Sequence, residues 1–280
     1  MRRALNAVGQ SLHGGGLLAG GGAVVIYALA FLVMVFVLAP LLVVLALSIS
    51  NSPFASFPPH GFTLRWYAKV LSDPDFQSSA ALSIGLALAA TAAALGLGIP
   101  ASFLVTRAAV PGRAAIQALL ISPLVFPTLI IGLALLQFCS MAGLRNSVVN
   151  LFLGHTLVTL PYVVRAVTVS LLLVDPALEE AARTLGANRW RSFWRVILPQ
   201  IAPGVAAGAL FAFMVSLDNY PISMWLADAR AVPLPILLFN DMGSIFDPSI
   251  AAMASLMIIV GACAVLVLER LVGLRRAMGL

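Results

Sequence analysis

Six long apolar stretches dominate this 280-residue chain. They cover residues 23–49, 79–105, 114–139, 147–164 or slightly beyond, 201–226 and 249–268. A helix of about 20 apolar residues crosses the hydrocarbon core of a bilayer, and each stretch is close to or above that length. The chain is 61% hydrophobic and only 9% charged, whereas about a quarter of the residues in a typical soluble domain are charged. The sequence therefore predicts an all-α membrane protein with six transmembrane helices.

The positively charged residues predict the orientation of these helices. If the amino terminus is inside, the outer segments hold four cations: Arg65, Lys69, Arg145 and Arg230. Arg165 lies near the inner end of the fourth stretch. The inner segments hold the other eleven: Arg2, Arg3, Arg107, Arg113, Arg183, Arg189, Arg191, Arg195, Arg270, Arg275 and Arg276. Because cytoplasmic loops are enriched in Arg and Lys, we expect both termini in the cytoplasm, with residues 1–22 as a flexible tail and 23–280 as one membrane domain.

A polar segment between the fourth and fifth stretches, residues 175–199, contains two predicted short helices. Asp175 suits the N-cap of the first helix, and the proline that follows suits its first position. Gly186 interrupts this helix, and Asn188 can cap a second one, which we expect to end at Pro199. On the predicted orientation, this segment faces the cytoplasm.

The second of these helices is amphipathic. Its apolar residues follow each other at helical spacing: Trp190, Phe193, Trp194 and Ile197. Two arginines lie on the opposite side. Such a surface suits docking to a soluble partner, although the aromatic face could instead lie on the lipid interface.

Several classes of function are disfavoured by the motifs that the sequence lacks. It has no Gly-x-x-x-x-Gly-Lys-Ser/Thr loop, so we do not expect it to bind ATP by itself. It has no His-Glu-x-x-His or Gly-x-Ser-x-Gly motif, and we predict no catalytic residues. His155 has no second ligand at metal spacing, so a hydrogen-bonded packing role is expected and no metal site is predicted. Cys139 and Cys263 fit as small hydrophobic residues. The basic residues form no stripe with interleaved aromatics, so nucleic-acid binding is not expected.

The polar segment resembles the EAA loop of permease subunits of ABC-type importers. The family pattern is Glu-Ala-Ala, three residues, Gly, nine residues, Ile, one residue and Leu-Pro. The matching residues are Glu180, Ala181, Ala182, Gly186, Leu198 and Pro199, with Val196 where isoleucine is usual. Residues 62–67, the prolines of the third stretch (Pro123 and Pro127) and residues 159–165 look similar to the same family. The resemblance covers roughly residues 60–270. It implies a MetI-like fold, with a cytoplasmic coupling-helix loop between spans four and five.

The resemblance also implies partners. In this family the loop sits in a cleft on a separate ATPase subunit, one per permease, so ATP is bound by the partner and no cofactor is expected here. The aromatic residues Trp190, Phe193 and Trp194 would be buried anchors of that interface. Glu180 would meet a basic group of the ATPase or cap its own helix. Gly186 would be required by a close approach or by a positive φ.

The fifth stretch carries the candidate pathway residues Ser216, Asp218, Asn219 and Tyr220. Asp218 is the acid placed most clearly inside a span, and such a residue is a functional candidate. Its other possible role is to accept hydrogen bonds from a neighbouring helix. The stretch looks most like the spermidine/putrescine-type branch of the family, although Asn219 stands where a second acid is common. A polyamine or related amine-bearing solute is therefore expected. Iron chelates or oxyanions carried by the same machinery, or ion-coupled secondary transport, are the alternatives.

Small residues at the start of the fifth stretch predict close helix packing. Gly204 and Gly208 form a Gly-x-x-x-Gly motif, which allows two helix backbones to approach. The neighbour could be a helix of the same chain or of a second permease, and the polyamine branch typically pairs two different permeases. An extracytoplasmic solute-binding protein is the remaining expected partner. The expected location is the bacterial cytoplasmic (inner) membrane.

Overall fold

The computed structural model describes residues 23–108 and 110–272, so the predicted tail over residues 1–22 lies outside the described part. The chain folds into helices joined by loops, of which the longest covers residues 49–64. They are α1 (Ala23–Ser48), α2 (Arg65–Ser72), α3 (Pro74–Thr106), α4 (Arg113–Ile121), α5 (Thr128–Met141), α6 (Ser147–Leu173), α7 (Pro176–Thr184), α8 (Arg189–Leu217), α9 (Tyr220–Leu226), α10 (Leu234–Asp241) and α11 (Ser249–Val272). Five helices in the described residues are long and apolar enough to cross a membrane, and the number is six when the bent pair α4 and α5 is counted as one span. The all-α, six-span prediction is confirmed.

The third span is not the continuous helix predicted over residues 114–139. Its two halves, α4 and α5, meet at 103°. Proline has no amide hydrogen and disfavours helical backbone in the residue before it, and Pro123 and Pro127 both lie at the break. Pro127 serves as the N-cap residue of α5. The bend leaves Val125 and Phe126 exposed between the two halves.

The fifth span also differs from the prediction, at both ends. Pro199 does not end the second short helix, because α8 runs on to Leu217. Residues Phe193–Ile197 form a π-helical turn, in which Leu198 N–H donates to the Phe193 carbonyl five residues back. This wider turn shifts the hydrogen-bond acceptors by one residue just before the proline, which has no donor. The predicted stretch 201–226 is divided at Asn219, whose side chain accepts from Ile222 N–H at 3.1 Å and starts α9.

Three spans, α3, α6 and α8, form the buried centre of the bundle. Small residues let these helices approach closely. A Cβ added at Gly98 would lie 2.7 Å from Val163, and one at Gly208 would lie 3.1 Å from the Val163 Cα atom. Gly204 meets Ser170 in the same way. The Gly-x-x-x-Gly motif therefore packs against α6 of the same chain, which decides between the two neighbours considered above.

We expect Gly204→Ala to destabilise this bundle. The added Cβ would lie 2.0 Å from Ser170 Oγ and 2.8 Å from the Ala166 carbonyl oxygen. Overpacking of this kind costs about 1–3 kcal/mol, because the helices must separate. Gly85→Ala is the matched control, since its Cβ would meet nothing within 4 Å. Thermal unfolding of the two purified variants in one detergent checks this, and equal midpoints for Gly204→Ala and the wild type would contradict it.

At the end of the bundle opposite the coupling segment (residues 175–199), α2 packs as a short helix with a buried aromatic side chain. Trp66 is buried and its Nε1–H donates to the Ser50 carbonyl at 2.7 Å. Lys69 Nζ lies 2.6 Å from Asp247 Oδ2. Burial of Asp247 opposes its ionisation, but hydrogen bonds from Lys69 and Ser249 outweigh that effect and lower the pKa of its carboxyl. These contacts join α2 to the start of α11.

Candidate coupling surface and solute pathway

The first helix of the polar segment, α7, is capped as the sequence predicts. Asp175 Oδ1 accepts from Ala177 N–H at 2.9 Å. Arg183 Nη2 lies 2.5 Å from Glu179 Oε1, one helical turn away. The neighbouring Glu180 is exposed, and no described residue donates a hydrogen bond to its carboxylate. Its side chain therefore does not cap α7 here and is open to a partner.

Gly186 ends α7 in a left-handed conformation, with φ +84°. Its N–H donates to the Arg183 carbonyl at 2.9 Å, and Ala187 N–H donates to the Ala182 carbonyl at 3.0 Å. This is the Schellman arrangement that ends many helices. A Cβ at Gly186 would meet nothing within 4 Å. Of the two reasons considered for this glycine, the positive φ is the one that the structure contains.

The end of the second span holds the end of the fourth span, from which the coupling segment begins. Arg107 Nη2 donates to the carbonyls of Leu171 and Val174, at 3.2 and 2.8 Å. A cation at the carboxyl end of a helix is favourable and satisfies carbonyls that have no partner within the helix. The side chain therefore fixes the end of α6 from which residues 175–199 begin.

The aromatic cluster at the start of α8 has an outer part and an inner part. Asn188 caps this helix by accepting from Arg191 N–H at 2.8 Å. The Trp190 and Trp194 rings lie 5.5 Å apart, and these side chains are 69% and 50% exposed. Phe193 is half-buried and lies 5.6 Å from the Phe103 ring of α3. The tryptophans thus face outward, whereas Phe193 joins the segment to the spans.

The rest of the motif also divides between surface and core. Ala181 is exposed, Ala182 is half-buried, and Pro199 is exposed beyond the π-helical turn. Leu198 packs on the core cluster of α3, α6 and α8. Leu198 therefore holds the segment on the bundle, whereas Ala181 and Pro199 belong to its exposed surface.

We expect this division to separate two mutant phenotypes. Trp194→Ala removes an exposed ring, so the ATPase subunit should dissociate about tenfold or more readily while the thermal midpoint of the permease changes little. Phe193→Ala removes a half-buried ring packed on Phe103, so the midpoint should fall, because even full burial of such a side chain stabilises by about 1.5–3 kcal/mol and half of it by correspondingly less. Co-purification and thermal unfolding of both variants provide the test. Normal ATPase retention by Trp194→Ala would contradict the docking role.

Three of the four candidate pathway residues are engaged within the chain. Ser216 Oγ is 2.8 Å from His155 Nδ1, and Ser223 Oγ is 3.1 Å from His155 Nε2. His155 is buried, so its predicted packing role is confirmed. Asn219 caps α9, and Tyr220 lies 4.8 Å from the Phe239 ring. Among the described residues, no group of three or more His, Cys, Asp or Glu could hold a metal ion.

Asp218 differs from these three residues because its carboxylate is available. It follows the last residue of α8 and is exposed. It lines an open cavity of about 370 Å³ together with Met214, Asn219 and Thr128. No described residue donates a hydrogen bond to the Asp218 carboxylate. The hydrogen bonds from a neighbouring helix that were the alternative role for this acid are therefore not present in the described residues.

A second cavity, of about 740 Å³, lies on the same face of α8 but nearer the coupling segment. Its lining includes Gly204, Ala207 and Phe211, and the Asp218 cavity continues the same face. These positions follow each other three or four residues apart, as one face of a helix requires. Tyr162 of α6 also contributes and lies 6.4 Å from the Phe211 ring. The sequence analysis did not predict this cavity, although the spacing of three or four residues between these positions of α8 indicates a shared face.

Comparison with known proteins places this fold. Residues 94–276 match the family described as binding-protein-dependent transport system inner membrane component. The putrescine transport system permease protein PotI of Escherichia coli K12 is 32% identical over 230 residues, which is 80% of this chain and 82% of PotI. The spermidine/putrescine transport system permease protein PotC of Haemophilus influenzae is 25% identical, over 86% of this chain and 93% of PotC.

A solved structure has the same fold. A bacterial ABC transporter involved in the import of the acidic polysaccharide alginate matches with a TM-score of 0.67 and 17% identity, over 89% of this chain and 95% of that one. The chain belongs to the family of binding-protein-dependent transport system inner membrane components. It is the permease of an ABC importer, a multi-pass protein of the bacterial inner membrane.

Proposed function

We propose that this permease forms part of the import pathway for a polyamine or a related amine-bearing solute. The observation that carries the proposal is the Asp218 carboxylate, which has no hydrogen-bond donor among the described residues and lines a cavity at the outer end of α8. A carboxylate in such a position attracts ammonium groups and disfavours anions. The PotI protein, which is named for putrescine transport, is 32% identical to most of this chain and supports the same solute class.

The coupling segment 175–199 is the proposed contact with a separate ATPase subunit, which binds and hydrolyses ATP. The free carboxylate of Glu180 and the exposed rings of Trp190 and Trp194 supply its contact groups. Because α8 continues through its π-helical turn from Arg189 to Leu217, a displacement at the ATPase moves the helix end beside Asp218. ATP hydrolysis in the partner thereby changes access to the pathway in this chain.

The remaining partners follow from the same proposal. A second permease subunit, which is a different polypeptide chain, completes the pathway. An extracytoplasmic binding protein delivers the solute to the outer end. Structural support comes from an alginate transporter, whose structure holds a pentasaccharide-bound periplasmic protein and matches this chain with a TM-score of 0.63. Both termini lie in the cytoplasm, in agreement with the excess of Arg and Lys on that side.

Isolation of the complex from native membranes in mild detergent tests the proposal. The ATPase rate is measured with the co-purified binding protein, first unloaded and then loaded with putrescine, spermidine or molybdate. Stimulation by a loaded polyamine is the expected result. Molybdate must be included because the E. coli molybdenum transport permease ModB is 34% identical over 54% of this chain. Stimulation by molybdate alone would overturn the polyamine assignment, and a complex without an ATPase would overturn the coupling role.

A further inference from the structure

The larger cavity on α8 contains one charged residue among those that line it, Arg165. The other contributors are apolar or small, such as Tyr162, Ala207 and Phe211. Arg165 lies eight positions before the end of α6 at Leu173, which is about 12 Å along the helix. The cavity therefore borders α6, a helix long and apolar enough to span a membrane, toward the end of the bundle that carries the coupling segment.

The Arg165 guanidinium is uncompensated within the described residues. Its side chain is exposed to the cavity, and it takes part in neither of the two ion pairs found in the described part of the chain. No described residue accepts a hydrogen bond from it. Arg107, which lies at the same end of the bundle, contrasts with it because that guanidinium donates to two carbonyls of the chain. An ionisable residue left unpaired within a membrane-spanning helix is expensive and marks a functional position.

The Arg165 cavity and the Asp218 cavity are consecutive parts of one groove. On α8, Gly204, Ala207 and Phe211 line the first, and Met214 and Asp218 line the second. The broken third span forms the other wall. Leu124, before the break, lines the first cavity, and Thr128, after the break, lines the second. The groove thus has a negative charge toward its outer end and a positive charge toward the coupling segment.

We propose that Arg165 keeps amine-bearing solutes from binding in the inner cavity from the cytoplasmic side. The inference rests on the proposed function. A solute ammonium that has passed Asp218 meets a like charge in this cavity, so it leaves for the cytoplasm and does not return. At an effective dielectric constant of about 20, unit charges roughly 6 Å apart repel enough to lower occupancy by about a hundredfold. Arg165 is on this view a specificity residue for the direction of transport.

The test measures inhibition of import by solute on the product side. The complete complex is reconstituted in proteoliposomes with its ATPase side inward, ATP and increasing unlabelled putrescine inside, and binding protein with labelled putrescine outside. Uptake by the wild type should be insensitive to internal putrescine. Uptake by Arg165→Gln should be inhibited at internal putrescine concentrations at least about tenfold lower than any that inhibit the wild type. Arg165→Lys keeps the charge and should behave as the wild type does.

A second variant neutralises the positive charge of the cavity while Arg165 itself is kept. Ala207→Asp adds an acid to the lining of the cavity, which pairs with the guanidinium and should also make uptake sensitive to internal putrescine. Inhibition curves of both variants that coincide with the wild-type curve would overturn the role of Arg165. Each inhibition curve is expressed relative to that variant's own rate of uptake with no internal putrescine. Absence of putrescine uptake by the wild type would instead contradict the proposed solute.

Discussion

Replacement of Gly186 by Val is expected to weaken ATPase association strongly while the permease remains folded in the membrane. Gly186 ends α7 with φ +84°, and the left-handed conformation costs an L-residue about 1–2 kcal/mol, with β-branched residues the least tolerant. If the turn relaxes, Glu180 and the two exposed tryptophans no longer share one surface. Since the docking surface needs the ordered turn, this cost should reduce ATPase retention and coupled transport by about five- to thirtyfold.

The matched control for this experiment is Gly186→Asn. Both variants place a side chain of similar size in the same open space, since a Cβ there meets nothing within 4 Å. Asparagine adopts positive φ at lower cost, so it should retain most of the ATPase. The measurement is the amount of ATPase subunit that co-purifies per permease, together with solute-stimulated ATP hydrolysis. Equal loss in both variants would show that the surface rejects any side chain and that the φ argument is wrong.

The local signals in the sequence were sufficient where structure depends on neighbouring residues. Asp175 and Asn188 cap the two short helices as predicted, because capping requires only a side-chain oxygen and the next few amides. The length of apolar stretches likewise predicted the spans. Pro199 shows the limit of such reasoning. It was expected to end a helix because proline has no N–H to donate. The π-helical turn before it shifts the hydrogen-bond acceptors, so the helix continues, and no simple residue pattern signals that turn.

Features that depend on several helices were not predictable from one segment. Phe193 and Trp194 are adjacent aromatic residues on one predicted face, yet only Phe193 meets the Phe103 ring of α3. Arg165 was placed near the inner end of a span, but its cavity exists because α6, α8 and the bend of the third span meet there. The bend lies at two prolines, but its angle of 103° also depends on the helices packed around it.

Neutralisation of the outer acid should have the largest effect on the solute pathway. In Asp218→Asn the side chain keeps its shape and the cavity of about 370 Å³ loses its negative charge. Unit charges about 4 Å apart attract by about 4 kcal/mol at an effective dielectric constant of 20, and hydration offsets part of this. We therefore expect the maximal rate of putrescine uptake to fall about tenfold or more, with assembly unchanged. Apparent affinity should change little, because the binding protein captures the solute first.

Two further substitutions separate charge from position in this test. Asp218→Glu keeps the carboxylate and should recover a substantial part of the rate. Asp241→Asn makes the same chemical change at the end of α10, where the side chain lines neither cavity described above, and should leave uptake unchanged. Initial uptake rates in proteoliposomes, normalised to the amount of assembled complex, compare all three variants. If Asp218→Asn transports putrescine as fast as the wild type, this acid does not contact the solute. If Asp241→Asn slows uptake equally, the groove attracts cations through the summed charge of its outer surface rather than through one carboxylate.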